Sequence, residues 1–225
     1  MTDKIRILQE QLGTIIKGKK EVTDKIIMAV LAKGHVLLED VPGVGKTTTA
    51  LALSRLMGMD FQRIQFTPDV VPSDVTGFTM YQKETGTFVY RPGVVMCNFL
   101  LADEINRTSS KTQAALLEVM EEGRVTVDGE THEVPNPFVV LATENPVGSS
   151  GTQMLPESQL DRFMVSLSMG YPDHESLVEI LRDRQDTNPL DHAETVVHKE
   201  ELLKLQEQVQ KVYMDDRILS YVADL

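Results

Sequence analysis

The stretch Val41-Pro42-Gly43-Val44-Gly45-Lys46-Thr47-Thr48 decides the fold, because it lies between an apolar segment and a helical one. The preceding segment, His35-Val36-Leu37-Leu38-Glu39, is short and mostly apolar, which predicts a buried strand over 35–39. The following segment, 47–57, predicts a helix that ends at Gly58. A glycine-rich loop between a strand and a helix is the setting in which many proteins bind phosphate groups.

The loop supplies the groups that polyphosphate binding requires. Gly43 and Gly45 allow backbone N–H groups to approach phosphate oxygens closely, and the N-terminus of the next helix adds partial positive charge. The Lys46 ammonium can reach the terminal phosphates, and the Thr47 hydroxyl can bind Mg²⁺. We therefore predict that a nucleotide binds at Gly43, Val44, Gly45, Lys46, Thr47 and Thr48.

One position departs from the usual phosphate-loop pattern, because Asp40 stands where the pattern has glycine. Aspartate tolerates left-handed backbone angles better than most residues, so we expect the turn to persist. The alternative is an ordinary strand-to-helix turn that contains glycines. The order Gly-x-Gly-Lys-Thr is rare by chance at average glycine content, and this favours phosphate binding.

Composition and charge narrow the class of protein. The 225 residues are 41% hydrophobic and 25% charged, which predicts a soluble globular protein of one domain or one and a half. No apolar run has the length of a membrane span, the N-terminus lacks the apolar core of a signal peptide, and the single Cys97 fits a reducing cytoplasm. The formal net charge of −12 argues against a nucleic-acid-binding surface.

Apolar periodicity predicts an α/β fold. Helical spacing indicates a helix over 3–17 and a second helix that is marked by Val22, Ile26 and Val30 and ends at Gly34. Beyond the phosphate loop the pattern predicts strands 61–65 and 98–102, helix 109–122, and strands 138–143 and 163–169. Strands that alternate with helices imply a parallel sheet with helices on both faces.

Two insertions have the pattern of hairpins. Segments 78–82 and 87–91 flank one turn, and segments 124–127 and 130–133 flank Asp128-Gly129, a strong two-residue turn. From patterning alone, surface decoration and function are equally good interpretations of both insertions.

The composition changes at residues 170–172, after which only helices are predicted, at 173–185, 199–213 and 215–225. We therefore predict an α/β core over 1–170 and the start of an all-helical domain over 171–225. The apolar pattern continues to Leu225 without a stop signal, which predicts that this second domain is incomplete.

A second set of polar residues follows the buried strands. The apolar run 99–102 ends in Asp103 and Glu104, at the end of the sheet where α/β proteins bind ligands. One carboxylate can hold the Mg²⁺ shell, and the other can polarise an attacking water. Asp-Glu is also a common solvated pair, but its position after a buried strand and downstream of a phosphate loop favours function.

Two further candidates are weaker when taken alone. Asn145 follows the apolar run 139–143, where a neutral amide can orient water, although Asn-Pro is equally a plain turn. Arg162 is most simply a salt bridge to Asp161 or a solvated helix end.

The ordered segments GVGKT, FLLADEINR, ATENP and LPESQLDRF together resemble those of the AAA+ ATPases, and most closely the MoxR family. The resemblance covers nearly the whole chain. It implies an AAA+ phosphate-loop core followed by a helical lid, and both hairpins match insertions of the helicase-like AAA+ clade.

The resemblance also implies a role for each candidate residue. Lys46 and Thr47 would contact phosphate and Mg²⁺, Asp103 would assist Mg²⁺, and Glu104 would be the catalytic base. Asn145 would be the first sensor, and Arg162 would be an arginine finger acting on the neighbouring subunit's nucleotide. Asn106 and Arg107 lie in the same motif without an assigned role, and the family's second-sensor arginine falls beyond residue 225.

The function implied by the resemblance is a cytoplasmic, Mg²⁺-dependent ATPase that uses ATP, forms a ring, most simply a hexamer, and remodels or activates a partner complex. A von Willebrand A-domain protein is the implied kind of partner. The alternatives are a magnesium-chelatase-type motor subunit, a nucleotide-binding switch with little turnover, and a DNA helicase motor. Glu104 argues against a pure switch, and the charge of −12 argues against a helicase.

Overall fold

The computed structural model describes residues 2–39, 43–145, 155–186 and 188–224. Asp40, the departure from the loop pattern, lies outside these residues. The strands are β1 (Val36–Glu39), β2 (Phe61–Gln65), β3 (Gly77–Gln82), β4 (Thr87–Pro92), β5 (Phe99–Asp103), β6 (Arg124–Val127), β7 (Glu130–Glu133), β8 (Val139–Glu144) and β9 (Val165–Leu167). The α-helices are α1 (Thr2–Ile15), α2 (Lys20–Leu31), α3 (Lys46–Leu56), α4 (Pro72–Thr76), α5 (Ser110–Glu122), α6 (Glu157–Leu160), α7 (His174–Asp186), α8 (Lys199–Val209) and α9 (Asp216–Ala223).

Five strands form a parallel sheet in the order β2-β5-β8-β1-β9. Alternate residues of a strand face opposite sides, so Val36 and Leu38 of β1 join one apolar cluster and Leu37 joins the other. The first cluster contains side chains of α1, α2, α3 and α8, and the second contains side chains of α5 and β6. The predicted parallel sheet with helices on both faces is confirmed.

The last strand is shorter than predicted. β9 covers Val165–Leu167 rather than 163–169, because its ladder with β1 is limited to these three residues. That register runs from Val36↔Val165 to Leu38↔Leu167. Phe163 is buried, but it packs in the second cluster instead of extending the strand.

Both predicted hairpins are present, as β3–β4 and β6–β7. The second turns through Asp128 and Gly129, whose φ angles of 51° and 85° are those of a two-residue turn with left-handed residues. The hairpins touch each other, because the Tyr90 and His132 rings stack with centroids 3.8 Å apart and planes inclined by 8°.

The helical segment after residue 171 meets the α/β core at several points. Leu190, Val197, Leu202 and Leu205 are buried in the first cluster, and Gln206 Nε2 donates a 2.8 Å hydrogen bond to the carbonyl of Val30. Residues 188–206 therefore share a core with α1–α3. The domain boundary at residue 170 stays a prediction.

The last two helices are shorter than predicted. α8 ends at Val209 and α9 covers Asp216–Ala223, whereas the sequence predicts helices over 199–213 and 215–225. Val212, Tyr213 and Met214 between them are exposed. Helix stability comes mostly from packing an apolar face, so this exposed stretch lacks the contacts that would continue α8. No helix of the described residues is long and apolar enough to cross a membrane.

Candidate functional site

The loop before α3 has the backbone that its glycines predict. Gly43 and Gly45 have φ angles of 88° and 95°, which L side chains rarely adopt. Gly45 caps α3, and its carbonyl accepts hydrogen bonds from the Thr49 backbone N–H at 2.9 Å and the Thr49 hydroxyl at 3.0 Å. Lys46, the first residue of α3, is 8% exposed. The turn therefore holds the helix N-terminus and the Lys46 side chain beside one cavity.

This cavity has a volume of about 370 Å³ and brings together residues that are distant in the sequence. Its lining residues are Gly43, Gly45, Lys46, Thr47, Thr48, Arg63, Gln65, Asp103, Glu104 and Asn145. Eight predicted residues, in the loop, on α3, at the end of β5 and just beyond β8, therefore line the same space. We refer to it below as the phosphate cavity.

A second cavity, of about 540 Å³, lies on the other side of the same loop. It shares Gly43, Gly45 and Thr48 with the phosphate cavity, and α7 contributes Leu177 and Ile180 to its wall. Its wall carries charged side chains, such as Lys17 and Asp183, as well as apolar ones. The apolar part of the wall and its continuity with the loop are suited to a flat heterocycle attached to a phosphate chain. Val44, the remaining predicted residue of the loop, lines this cavity. Sequence analysis did not predict the cavity, because the rest of its wall comes from residues 15–19, α7 and segments 171–172 and 188–189, which carry no phosphate-loop motif.

Asp103, at the end of β5, is held from two sides. Its Oδ1 accepts a 2.6 Å hydrogen bond from the Thr143 hydroxyl, and its Oδ2 accepts a 2.7 Å hydrogen bond from Arg63 Nη2. The Thr143 hydroxyl in turn accepts the Glu104 backbone N–H at 2.9 Å. One threonine on β8 therefore links the Asp103 carboxylate to the Glu104 backbone, next to the two carboxylates that the sequence singled out.

Glu104 directs its carboxylate to two donors. Its Oε2 accepts from Arg107 Nη1 at 2.6 Å, and its Oε1 accepts from Asn145 Nδ2 at 3.0 Å. Burial by itself raises the pKa of Glu104, but the hydrogen bonds from Arg107 and Asn145 outweigh burial and leave the pKa below its usual value. The carboxylate is therefore ionised at neutral pH, as a proton acceptor must be. The backbone φ angle of Glu104, 57°, lies in the left-handed region, which is uncommon outside glycine and is often found at functional sites.

Asn145 is nearly buried, with 8% of its surface exposed, and its backbone is bound by another asparagine. Asn106 Nδ2 donates to the Asn145 carbonyl at 3.1 Å, and the Asn145 N–H donates to Asn106 Oδ1 at 3.4 Å. Asn106 and Arg107 belong to a short 3₁₀ turn, Ile105–Arg107, that directly follows Glu104. Of the two motif residues without an assigned role, Arg107 thus contacts Glu104 and Asn106 contacts Asn145.

Arg162 lies outside the phosphate cavity. Its Nη2 is 3.1 Å from Glu121 Oε2, and its Nη1 donates to the Ser158 carbonyl at 2.5 Å. The ion pair is therefore with Glu121 and not with Asp161, which was one of the two interpretations of Arg162 taken alone. Arg162, Asp161, Glu121 and Met120 line a separate cavity of about 280 Å³.

One cation of the phosphate cavity was missed by sequence analysis. Arg63 lines the cavity and pairs with Asp103. It lies on β2, which pairs directly with β5 and places Gln65 opposite Asp103. A charged residue within an otherwise predicted strand was the available signal, because such a side chain marks the face that carries ligands or solvent.

The oxygen donors of the phosphate cavity fit a Mg²⁺ ion. Mg²⁺ takes oxygen ligands and usually binds through one or two protein groups together with substrate phosphates and water. The Thr47 hydroxyl and the Asp103 carboxylate are such groups and face the same cavity. No group of three or more His, Cys, Asp or Glu side chains that could hold a metal ion occurs in the part of the chain that the structure describes.

Comparison with known proteins adds an independent line of evidence. Residues 35–165 match the family of ATPases associated with various cellular activities (AAA). The uncharacterized protein YeaC of Bacillus subtilis is 52% identical over 216 residues, which are 96% of this chain and 68% of that protein. The chaperone MoxR1 of Mycobacterium tuberculosis is 43% identical over 212 residues, which are 94% of this chain and 56% of that protein.

A solved structure agrees with these matches. The crystal structure of a candidate ATPase from Cytophaga hutchinsonii has a TM-score of 0.89 and 39% sequence identity, and it covers 99% of this chain. This chain spans 67% of that structure, so the relatives contain further residues that it does not match.

Proposed function

Because this chain belongs to the MoxR family of AAA+ ATPases, we propose that it binds ATP or ADP at Gly43–Thr48 and hydrolyses ATP in the phosphate cavity. The observation that carries the proposal is the convergence of Lys46, Thr47, Asp103, Glu104 and Asn145 on one cavity. The backbone N–H groups of the loop and the Lys46 ammonium would bind the phosphates. The second cavity, on the other side of the loop, would hold the adenine ring of the nucleotide.

Thr47 and Asp103 would hold Mg²⁺ beside the phosphates. The ion supplies positive charge to phosphate oxygens as the terminal bond breaks. Asp103 is already oriented for this role, because Thr143 fixes one carboxylate oxygen. Its other oxygen accepts a hydrogen bond from Arg63. Arg63 would have to release this oxygen and pair with another group when the cation binds.

Glu104 would accept the proton of the attacking water. Asn145 contacts Oε1 of this carboxylate and would orient it, and the water with it, without adding charge. Glu104→Gln keeps the shape of the side chain and removes the base, so we expect ATP to bind and turnover to fall by roughly 10²–10⁴-fold. Glu118→Gln, an exposed change on α5, is the matched control and should turn over at the wild-type rate. A Glu104→Gln protein with wild-type turnover would place the base elsewhere.

Arg162 would act on the nucleotide of a neighbouring subunit. Its position supports this, because Arg162 lines a separate cavity and is not among the residues that line the phosphate cavity of its own chain. We therefore propose a ring, most simply a hexamer, in which each subunit completes the next site. By analogy with a relative named as a chaperone, the ring would remodel or activate a partner complex in the cytoplasm, with a von Willebrand A-domain protein as the expected partner.

A nucleotide switch with little turnover is the second candidate, and one observation favours it. Both oxygens of Glu104 already accept hydrogen bonds, from Arg107 and from Asn145, so an attacking water would have to share or displace one of these donors. Steady-state turnover measured against protein concentration separates the candidates. An ATPase ring gains turnover per subunit as it assembles, whereas a switch stays slow at every concentration and is unaffected by Glu104→Gln.

A further inference from the structure

Asn106 is a buried polar residue whose side-chain hydrogen bonds go to the last residue of β8 and to the residue after it. It is 1% exposed. Its amide makes hydrogen bonds with the carbonyl and N–H of Asn145, at 3.1 Å and 3.4 Å, and with Glu144 Oε1 at 3.4 Å. A buried amide costs free energy unless it is paired, so this side chain is committed to the end of β8.

The pairing has the chemistry of a β-ladder. A side-chain amide offers the same donor and acceptor as a peptide group, and Asn106 exchanges both with a single residue. On this side of β8 the ladder with β5 reaches its last pair at Ala102↔Ala142. Asn106 supplies partners for the backbone of Asn145, three residues beyond that pair.

The contacts close on the carboxylate that we propose as the base. Asn145 Nδ2 donates to Glu104 Oε1 at 3.0 Å, and Glu104 is two residues before Asn106 in the chain. The Asn145 side chain can hold Glu104 only if its own backbone is fixed. We propose that Asn106 is a positioning residue for hydrolysis: it fixes the backbone of Asn145, and Asn145 in turn orients Glu104. This inference rests on the roles proposed above for Asn145 and Glu104.

A second buried amide in the same region provides a matched control. Gln113 on α5 is 4% exposed, and its Nε2 donates to the carbonyl of Ile105 at 3.0 Å and to that of Thr108 at 3.5 Å. It therefore fastens the same turn to α5 without touching Asn145. If Asn106 served only to stabilise the turn, Asn106→Ala and Gln113→Ala would have the same consequences.

The test is a double-mutant cycle on turnover. Asn145→Ala, Asn106→Ala, Gln113→Ala and the two double variants with Asn145→Ala are compared for kcat, KM for ATP and melting temperature. Residues in direct contact commonly couple by roughly 2-fold to 100-fold. We expect Asn106→Ala to lower kcat about tenfold with little change in KM, and to have almost no further effect once Asn145 is alanine. Gln113→Ala should lower the melting temperature. Any loss of kcat that it causes should multiply with the loss caused by Asn145→Ala.

A second measurement covers the case in which Asn145→Ala turns over too slowly for a further loss to be seen. The side-chain amide signals of Asn145, assigned by their loss in Asn145→Ala, report its hydrogen bond to Glu104 in NMR spectra. We expect Asn106→Ala to move these signals toward the solvent-exposed range and Gln113→Ala to leave them in place.

Each outcome bears on a different claim. If Asn145→Ala itself turns over like wild type, the proposed role of Asn145 is wrong and the inference falls with it. If Asn145→Ala is slow but the Asn106→Ala loss multiplies with it, or the amide signals do not move in Asn106→Ala, then Asn106 is a structural residue and the inference alone is overturned.

Discussion

Arg107 Nη1 lies 2.6 Å from Glu104 Oε2, so the proposed base and a cation from the same 3₁₀ turn form an ion pair. The arginine stabilises the ionised carboxylate and also occupies one of its two oxygens. If Glu104 is the base, we expect turnover to require this pair to open or rearrange when a nucleotide and water enter the phosphate cavity.

The first prediction concerns the pH dependence of turnover. The hydrogen bond from Arg107 lowers the pKa of Glu104, so Arg107→Gln should raise that pKa. The base acts only when it is deprotonated, so the acid limb of kcat against pH should move to higher pH in the variant. The measurement is kcat from about pH 3.5 to about pH 8 at saturating ATP, because a pKa below the usual carboxyl value places the wild-type acid limb below about pH 5. Arg124→Gln, which removes an exposed arginine on β6, is the control, and an acid limb that stays in place in Arg107→Gln would contradict the assignment.

The second prediction concerns nucleotide binding. Lys46→Ala removes the cation proposed to meet the terminal phosphates, and a hydrogen bond to a charged group is worth about 1.5–3 kcal/mol. ATP affinity should therefore fall by roughly 10-fold to 150-fold in calorimetry. Lys111→Ala removes an exposed lysine from α5 and should bind like wild type. Equal ATP affinity in Lys46→Ala and wild type would show that the loop is not part of the nucleotide-binding site.

The third prediction concerns assembly. If Arg162 acts across an interface, Arg162→Ala should lower turnover on the order of 10³–10⁵-fold, the range of arginine fingers in other phosphoryl-transfer enzymes. Mixing Arg162→Ala with Lys46→Ala subunits should restore part of the activity. In a mixed ring, the intact Arg162 of a Lys46→Ala subunit can face the intact loop of an Arg162→Ala neighbour.

The control for this experiment is each variant mixed with more of itself, which should stay inactive at the same total concentration. Light scattering should show an oligomer under the assay conditions. Wild-type turnover that is strictly proportional to a dilute monomer would rule out an arginine acting between subunits.

The fourth prediction concerns stability at low pH. His35 is 8% exposed; its Nδ1 accepts the Val140 N–H at 3.0 Å and its Nε2 lies 3.0 Å from the Met120 carbonyl. Burial lowers its pKa below the ordinary value of 6.5, although the bond to Met120 opposes this. The native state therefore disfavours the protonated ring, and its stability should fall as pH drops below the unfolded-state pKa.

The check is the melting temperature between about pH 8 and about pH 5.5. In a domain of this size, each 1 kcal/mol of lost stability lowers the melting temperature by roughly 2–4 °C. His35→Gln should melt lower than wild type at the upper pH but change less with pH. His174→Gln, at an exposed position on α7, should keep the wild-type slope, and an unchanged slope in His35→Gln would assign the acid sensitivity to other groups.

Much of the fold was predictable from local patterns, because buried strands and amphipathic helices carry a periodic signal. β2 and both hairpins form where the periodicity and the Asp128-Gly129 turn place them. The short α4 and the 3₁₀ turn that carries Asn106 were missed, since five or fewer residues are too few to show a period.

The candidate site divides in the same way. Lys46 and Glu104 were predictable because each belongs to a contiguous motif beside a strand. The contacts of Arg63, Asn106 and Glu121 were not, because each depends on a partner supplied by a different element. Sequence periodicity gives the face of an element but not the neighbour that the face will meet, so these pairings required the three-dimensional structure.

The stacked rings of Tyr90 and His132 have a mechanical consequence. α5 starts just beyond the turn that carries Arg107 and runs, through Gly123, directly into the hairpin that contains His132. Tyr90 ties the other hairpin to it by ring stacking. If α5 tilts when the Asp103 or Glu104 carboxylate changes its partners, both hairpins would therefore move together in the same direction. Work done on a partner would leave this domain through one stiff projection instead of two independent loops.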